Sequence, residues 1–180
     1  MEKLKLAIVL FFTGLFIVSC TKEVTELPPG TQTGANTFGA RVNGEFWIPE
    51  GFGVVPTAPI LEARYIDKNL FINARNFSSS PNETEFEIYV ENVAAPGIFL
   101  LNKNTGMYPH QSESYAYYVK RKFTPVDEWM TNSRYGGQVT ITKIDFEARI
   151  VSGTFYFQAE SEYTADQSIN VTEGRFDVKF

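Results

Sequence analysis

Cysteine and histidine are almost absent from this sequence of 180 residues. Cys20 is the only cysteine, so no disulfide can form within the chain and no cysteine cluster can hold a metal. His110 is the only histidine, and one imidazole cannot supply the several ligands of a usual zinc site. It lies in a turn-like stretch after Tyr108-Pro109, where an exposed polar residue is expected. We therefore expect no metal and no cofactor.

Positive charge is also scarce, and this argues against nucleic acid as a partner. The formal net charge is −5, and because Glu2, Lys3 and Lys5 contribute +1, the remainder carries −6. A nucleic-acid-binding surface needs the opposite sign concentrated on one face. The longest basic run is Lys120-Arg121-Lys122, which we interpret as a solvated loop or strand end.

Familiar catalytic motifs are missing as well. The sequence has no Gly-x-Ser-x-Gly elbow and no phosphate-binding loop. A serine or cysteine nucleophile generally needs a base beside it, and His110 is isolated. A paired-carboxylate hydrolase stays open, because acidic residues are numerous and their separations are not visible in a sequence. Acids on strands, such as Glu85, Glu87 and Glu91, are more simply a solvated face.

The longest apolar run, Leu6 to Val18, follows a short basic leader and has 13 residues. It is too short for a membrane span of about 20 residues and matches the core of a signal peptide. The run ends in Ile17-Val18-Ser19-Cys20, which resembles the lipobox of bacterial lipoproteins. The resemblance implies a signal peptide over residues 1–19, cleavage before Cys20 and lipid on its thiol. An ordinary secretory signal with an accidental cysteine is the alternative.

The residues after Cys20 resemble a localisation signal. Lys22 and Glu23 are similar to the lysine-plus-acid signal that sends Bacteroidota lipoproteins to the outer face of the outer membrane. A flexible charged tether would look the same. Residues 20–36 are rich in Thr, Pro and Gly and lack an apolar period, so they are expected to form a flexible, lipidated spacer.

From Thr37 onward apolar residues recur at every second position, which is the spacing of strands with one face toward a core. Phe86, Ile88 and Val90 are one such set. About nine or ten strands are predicted on this ground. The only helical expectation is a single turn around Val126–Thr131. Further period-two stretches are Val139–Thr142, Thr154–Ala159 and Arg175–Phe180.

Turn residues separate these strands. Asn43-Gly44 predicts a type I′ hairpin, and Pro96-Gly97 fits the central positions of a type II turn. Asp67-Lys68-Asn69 and Asp145 to Arg149 divide two further strand pairs. Sequential hairpins predict one all-β domain over residues 37–180. We expect an antiparallel β-sandwich, immunoglobulin-like or jelly-roll-like, with a closed barrel as the second choice.

Turn glycines, strand threonines and core aromatics recur in several stretches of the chain. They are Leu27–Gly39, Val42–Gly44, Trp47, Val139–Asp145, Val151–Phe155 and Thr172–Asp177. Together they resemble an uncharacterised family of Bacteroidota lipoproteins, a domain of unknown function. The resemblance implies no catalytic or binding residues.

Aromatic residues crowd between Met107 and Gly136, where five of the nine tyrosines lie. Trp129 precedes turn-forming residues, so we expect it to form a contact surface with Tyr115, Tyr117 or Tyr135. The alternative is that about half of these rings fill the core.

Three function classes follow. The first is an outer-membrane-anchored binding or adhesion module for a glycan or an envelope protein. The second is an envelope structural or fimbria-like component, and the third is a carboxylate-dependent hydrolase. The partners expected are the membrane, through the lipid anchor, and a glycan or protein ligand.

Overall fold

The computed structural model describes residues 24–51, 59–79, 82–110, 112–121 and 127–180. Cys20, Lys22 and Glu23 lie outside the described residues, as do residues 1–19 of the predicted signal peptide. Within the described ranges the chain contains strands and turns but no helix, and the named strands pair antiparallel. The predicted all-β antiparallel class is confirmed.

The described residues form eleven strands. Their bounds are β1 Thr37–Val42, β2 Glu45–Trp47, β3 Leu61–Ile66, β4 Asn69–Asn76, β5 Thr84–Val90, β6 Gly97–Leu100, β7 Tyr115–Lys120, β8 Asp127–Met130, β9 Gly137–Asp145, β10 Ile150–Ser161 and β11 Ser168–Lys179.

All eleven strands belong to one sheet. The main path runs β2-β1-β11-β10-β8-β7-β5-β4-β3, and β9 and β6 branch from β10. One edge of β10 pairs with β11, whereas the other pairs with β9 along Ile150–Phe157 and with β8 at Glu160 and Ser161. The sheet curls into a half-barrel, so one continuous sheet encloses the core.

Three predicted turns are confirmed by their backbone angles. Asn43 and Gly44 have φ of 51° and 90°, the positive pair that a type I′ hairpin requires. Asp67 and Lys68 have φ of 51° and 67° and join β3 to β4. Arg149 has φ of 55° and ends the turn between β9 and β10.

Two local predictions are wrong. Gly97 does not have the positive φ of a type II turn; it begins β6, which crosses over to pair with β9 instead of β5. The expected helical turn near Thr131 is strand β8, which pairs with β7 and β10. In both places long-range strand pairing outweighs the local turn signal.

The main core lies on the inner face of the curled sheet. The Phe38 ring stands 5.6 Å from Phe86 and 5.1 Å from Phe155, measured between centroids. Phe86 therefore joins β5 to β1 and β10 across the interior. These rings are 3% exposed or less, and each buries a large apolar area.

A second cluster of buried side chains covers part of the outer face. Its members are Phe71, Tyr89, Tyr115, Tyr117, Val119 and Met130, with Met107 packed against them. Because alternate residues of β7 belong to the two clusters, both faces of this strand are buried.

A buried carboxylate holds the segment that precedes β1. Asp177 is 1% exposed and lies on the outer face of β11. It accepts hydrogen bonds from Thr31 Oγ1 at 2.6 Å, from Ser152 Oγ at 2.7 Å and from the Gly34 amide at 2.8 Å. The amides of Thr33 and Ala35 donate at 2.9 and 3.1 Å. Five donors of this kind satisfy a charge that burial alone would penalise heavily.

This contact revises the expected spacer. The composition predicts one flexible tether over residues 20–36, yet residues 31–35 are fixed against β10 and β11 through Asp177. The threonines and glycines of this segment supply hydroxyl and amide donors to Asp177 rather than chain flexibility.

We predict that Asp177→Asn destabilises the fold by about 2–3 kcal/mol, since an amide nitrogen then faces buried donors. Burial by itself would raise the pKa of Asp177. The hydrogen bonds from Thr31, Ser152, Ala35 and Thr33 lower it by more than burial raises it, so the pKa lies well below its usual range. Because the folded-state pKa is depressed, this stabilisation is complete above about pH 4 and disappears as the pH falls.

Urea unfolding between about pH 3 and pH 7 checks this prediction. The difference between wild type and Asp177→Asn should narrow at the acidic end. Asp166→Asn, at an exposed position with φ of 63°, is the matched control and should stay close to wild type. A difference that does not change with pH would contradict the assigned role of the carboxylate.

Candidate functional site

The structure does not bring the four predicted contact residues together. Trp129 pairs with Tyr118 in the β7–β8 register, and both face the main core. Tyr115 and Tyr117 lie on the opposite face of the sheet, 0% and 7% exposed. Tyr135 lies between β8 and β9, where the Arg134 guanidinium stands 5.0 Å from its ring. The four rings therefore belong to three separate places in the fold and do not form one contact surface.

The two buried tyrosines donate to glutamates. Tyr115 Oη hydrogen-bonds to Glu87, whose other oxygen accepts Asn73 Nδ2 at 3.2 Å. Burial first, and then the bond to Glu87, raises the pKa of Tyr115 far above its usual range. Burial and a bond to Glu128 likewise raise the pKa of Tyr117. Both hydroxyls remain protonated donors, which is a structural role.

The carboxylates of the outer face are largely committed to neighbours. Glu85 accepts Arg75 Nε at 3.1 Å and Arg121 Nη2 at 3.0 Å, so it is not the freely solvated acid that the strand pattern indicated. Although Glu162 is largely exposed, its remaining desolvation and then the charges of Glu128 and Glu160 raise its pKa. Glu160 itself accepts Asn132 Nδ2 at 2.7 Å. This is the arrangement of a hydrogen-bonded acidic surface.

A different surface has the form of a binding site. A groove of about 460 Å³ lies on the outer face of β9, β10 and β11. We call it the outer-face groove. It is lined by Gly30, Thr31, Gln32, Gln138, Thr140, Thr142, Gly153, Thr154, Phe155, Tyr156, Glu173, Gly174, Arg175 and Phe176.

The strand register explains why the polar side chains of the groove share one face. Thr154 of β10 lies opposite Thr140 of β9 on one side and opposite Arg175 of β11 on the other. Tyr156, two residues further along β10, lies opposite Gln138. Partners directly opposite in an antiparallel pair project to the same side of the sheet. Alternation along β10 sends Phe155 and Phe157 into the core instead.

Polar groups run along the groove. Tyr156 Oη donates to Gln138 Oε1 at 3.2 Å, and Gln138 Nε2 donates to Thr140 Oγ1 at 3.1 Å. From the opposite wall Gln32 Nε2 donates to Thr142 Oγ1 at 3.1 Å. Amide and hydroxyl groups can donate and accept, so this row can bond a ligand that carries both kinds of group.

Exposed apolar side chains extend this face. Ile98 and Leu100 of β6 lie opposite Thr140 and Gln138, and they are 65% and 56% exposed. Tyr156 is 51% exposed. Neighbouring rows of the sheet thus carry aliphatic, amide and aromatic groups side by side. Three large apolar side chains exposed together point to a contact surface.

Among the described residues, Glu173 is the one carboxylate that lines the groove, and its Oε1 stands 3.0 Å from Arg41 Nε. Glycoside hydrolysis usually requires two carboxyl groups on either side of the scissile bond. In the part of the chain that the structure describes, no group of three or more His, Cys, Asp or Glu is placed to hold a metal.

Residues 78–178 match the family described as "Domain of unknown function (DUF6252)". The chain belongs to this family. The match covers β5 to β11 almost completely, and so includes the three strands of the groove. No curated protein and no solved structure matches the chain. Among the described residues, no helix is long and apolar enough to cross a membrane.

We predict that two aromatic truncations lower stability by clearly different amounts. Trp129 packs on the main core, with its ring 5.8 Å from Tyr118. Trp129→Ala should therefore lower the free energy of unfolding by about 2–3 kcal/mol. Tyr156→Ala should cost less than about 1 kcal/mol, because half of the side chain is in solvent. Denaturant midpoints measure both. A negligible loss in Trp129→Ala would place Trp129 outside the core and restore it as a contact residue.

Proposed function

We propose that this protein is a lipid-anchored envelope protein whose β domain binds a saccharide in the outer-face groove. One observation carries the proposal: half-exposed Tyr156 stands beside a row of amide and hydroxyl groups on a single face. This replaces the aromatic segment from Met107 to Gly136 as the place of contact.

The groups that line the groove suit the chemistry of a sugar. A pyranose ring offers a face of C–H groups and an equatorial rim of hydroxyls. An aromatic ring packs against the C–H face, and amides and hydroxyls exchange hydrogen bonds with the rim. A volume of about 460 Å³ falls within the range of small-molecule sites and suits a short oligosaccharide.

An envelope structural role is the second candidate, and strand β6 favours it. β6 has four residues, pairs with β9 and exposes Ile98 and Leu100. An edge strand with exposed aliphatic residues can accept a strand from another subunit. Sedimentation velocity separates the two roles, since assembly through β6 gives concentration-dependent oligomers that Ile98→Lys abolishes.

The address of the protein is proposed from its sequence. Ile17-Val18-Ser19-Cys20 supports lipid attachment at Cys20, and Lys22 with Glu23 supports display on the outer face of the outer membrane in a Bacteroidota cell. Two or three acyl chains would hold the domain there essentially permanently, at roughly 0.8 kcal/mol per buried methylene.

We predict that Tyr156→Ala weakens saccharide binding at least about tenfold, which corresponds to ~1.4 kcal/mol. A glycan array probed with the mature chain carrying Cys20→Ala identifies the saccharide, and calorimetry measures its affinity. Tyr163→Ala is the matched control, because Tyr163 is 67% exposed but lies between β10 and β11, outside the groove lining. Array binding that survives Tyr156→Ala, or an array without any signal, would refute the proposal.

We predict that labelled palmitate enters the wild-type protein and that Cys20→Ala abolishes the label.

Protease added to intact cells should remove the domain, and replacing Lys22 and Glu23 with alanine should protect it. Label in Cys20→Ala would contradict lipidation, and equal protection of both forms would contradict an export role for the pair.

A further inference from the structure

The inner face of the curled sheet changes from apolar to polar at one mouth of the half-barrel. In the last row of this face, the strand register places Asn76 of β4, Thr84 of β5 and Lys120 of β7 side by side. One row deeper, the same three strands carry side chains of the main core, namely Ala74, Phe86 and Tyr118. The mouth is therefore a polar rim above an aromatic interior.

A pocket of about 520 Å³ opens at this rim. We call it the mouth pocket. Its lining combines the rings of Trp47 and Tyr118 with the polar row and with Ser79 and Asn82 of the β4–β5 connection. The volume lies within the range of small-molecule sites, and the mouths of β-barrels are among the places where such sites occur.

A chain of hydrogen bonds ends on a donor in the floor of the mouth pocket. Trp47 Nε1 donates to Thr84 Oγ1 at 2.8 Å, and the Thr84 hydroxyl donates to the oxygen of Tyr118. Burial raises the pKa of Tyr118 by more than this bond lowers it, so the phenol stays protonated. Because Tyr118 is the acceptor in its bond to Thr84, its own O–H is left to donate to a group in the pocket. This hydroxyl belongs to a side chain that is only 7% exposed.

Lys120 adds a positive charge to the rim. Among the described residues, no carboxylate forms an ion pair with Lys120, and none lines the mouth pocket. Asp127 lies opposite Lys120 in the β7–β8 register but outside the lining. An ammonium group and a buried phenol donor together favour a ligand whose acceptor atoms carry negative charge.

We propose that the mouth pocket binds the carboxylate group of a small organic acid, with Lys120 and Tyr118 as its donors. One positive charge and one neutral donor match a singly charged carboxylate, whereas a phosphate dianion would lack a second cation. Ser79 and Asn82 supply hydroxyl and amide groups to the rest of the ligand. The inference does not depend on saccharide binding, because the mouth pocket opens on the inner face of the sheet and the outer-face groove lies on the other.

Nuclear magnetic resonance at the Trp47 indole tests the site. The chain has two tryptophans, so the mature chain carrying Cys20→Ala gives two indole N–H signals, which Trp129→Phe assigns. Sodium acetate and sodium benzoate should shift the Trp47 signal saturably, and sodium chloride and inorganic phosphate at equal ionic strength should not. Absence of a saturable shift up to about 100 mM carboxylate, where even a site of millimolar affinity is filled, would overturn the inference.

Two substitutions that preserve side-chain shape test the assigned donors. Lys120→Met and Tyr118→Phe should each weaken benzoate binding at least about tenfold, because each removes a hydrogen bond to a charged group. Lys120 is exposed, so its variant tests the site without disturbing the core. Lys103→Met, at an exposed position outside the lining, is the matched control and should bind benzoate as the wild type does.

Asp127→Asn checks the charge opposite Lys120. It removes a negative charge beside the ammonium, so benzoate binding should be as tight as in the wild type or tighter. Benzoate binding that survives both Lys120→Met and Tyr118→Phe would overturn the inference. Phosphate binding as tight as benzoate binding would overturn the assignment of a carboxylate, whatever the glycan array shows.

Discussion

Side-chain alternation along β10 is the constraint on which the core and the groove both depend. Phe155 and Phe157 point inward and meet the aromatic rings of β1 and β5. Thr154 and Tyr156 point outward into the groove. A shift of one residue in the register would exchange these sets, exposing the phenylalanines and burying the polar groove. The pairs with β11 and β9 hold the register from both sides.

Glycines around β10 show how closely the register is constrained. A Cβ on Gly137 would stand 2.1 Å from the Tyr156 carbonyl oxygen, and one on Gly174 would stand 2.5 Å from the Phe155 ring. Both positions must lack a side chain, because neighbouring strands and rings approach them closely.

Local patterns predicted the class of fold and its hairpins. Asn43-Gly44 specified a tight turn because two adjacent residues had to accept positive φ. Pro96-Gly97 failed because the partner of β6 is β9, about 40 residues away, and nothing near the turn records that pairing. Strand β7 is buried on both faces and therefore lacks the apolar and polar alternation of a half-buried strand. For this reason the sequence suggests that its tyrosines are exposed anchors, although they are core residues.

The groove was only partly visible in the sequence. Tyr156 occupies a polar position of the predicted β10 alternation, which was a usable signal for an exposed ring. The contribution of Gln32 and Thr31 was hidden, because their partners Thr142 and Asp177 lie 110 and 146 residues away. A spacer-like composition gives no indication that a buried carboxylate will bind it.

The central claim, that the outer-face groove binds a saccharide, is tested most directly by amide chemical-shift mapping during titration with the array-positive saccharide. The shift perturbations should centre on Gln138, Thr140, Thr154 and Tyr156, and the amides of Tyr115 and Tyr117 should be unaffected. Saturable binding with perturbations elsewhere on the domain, or with none at these positions, would contradict it.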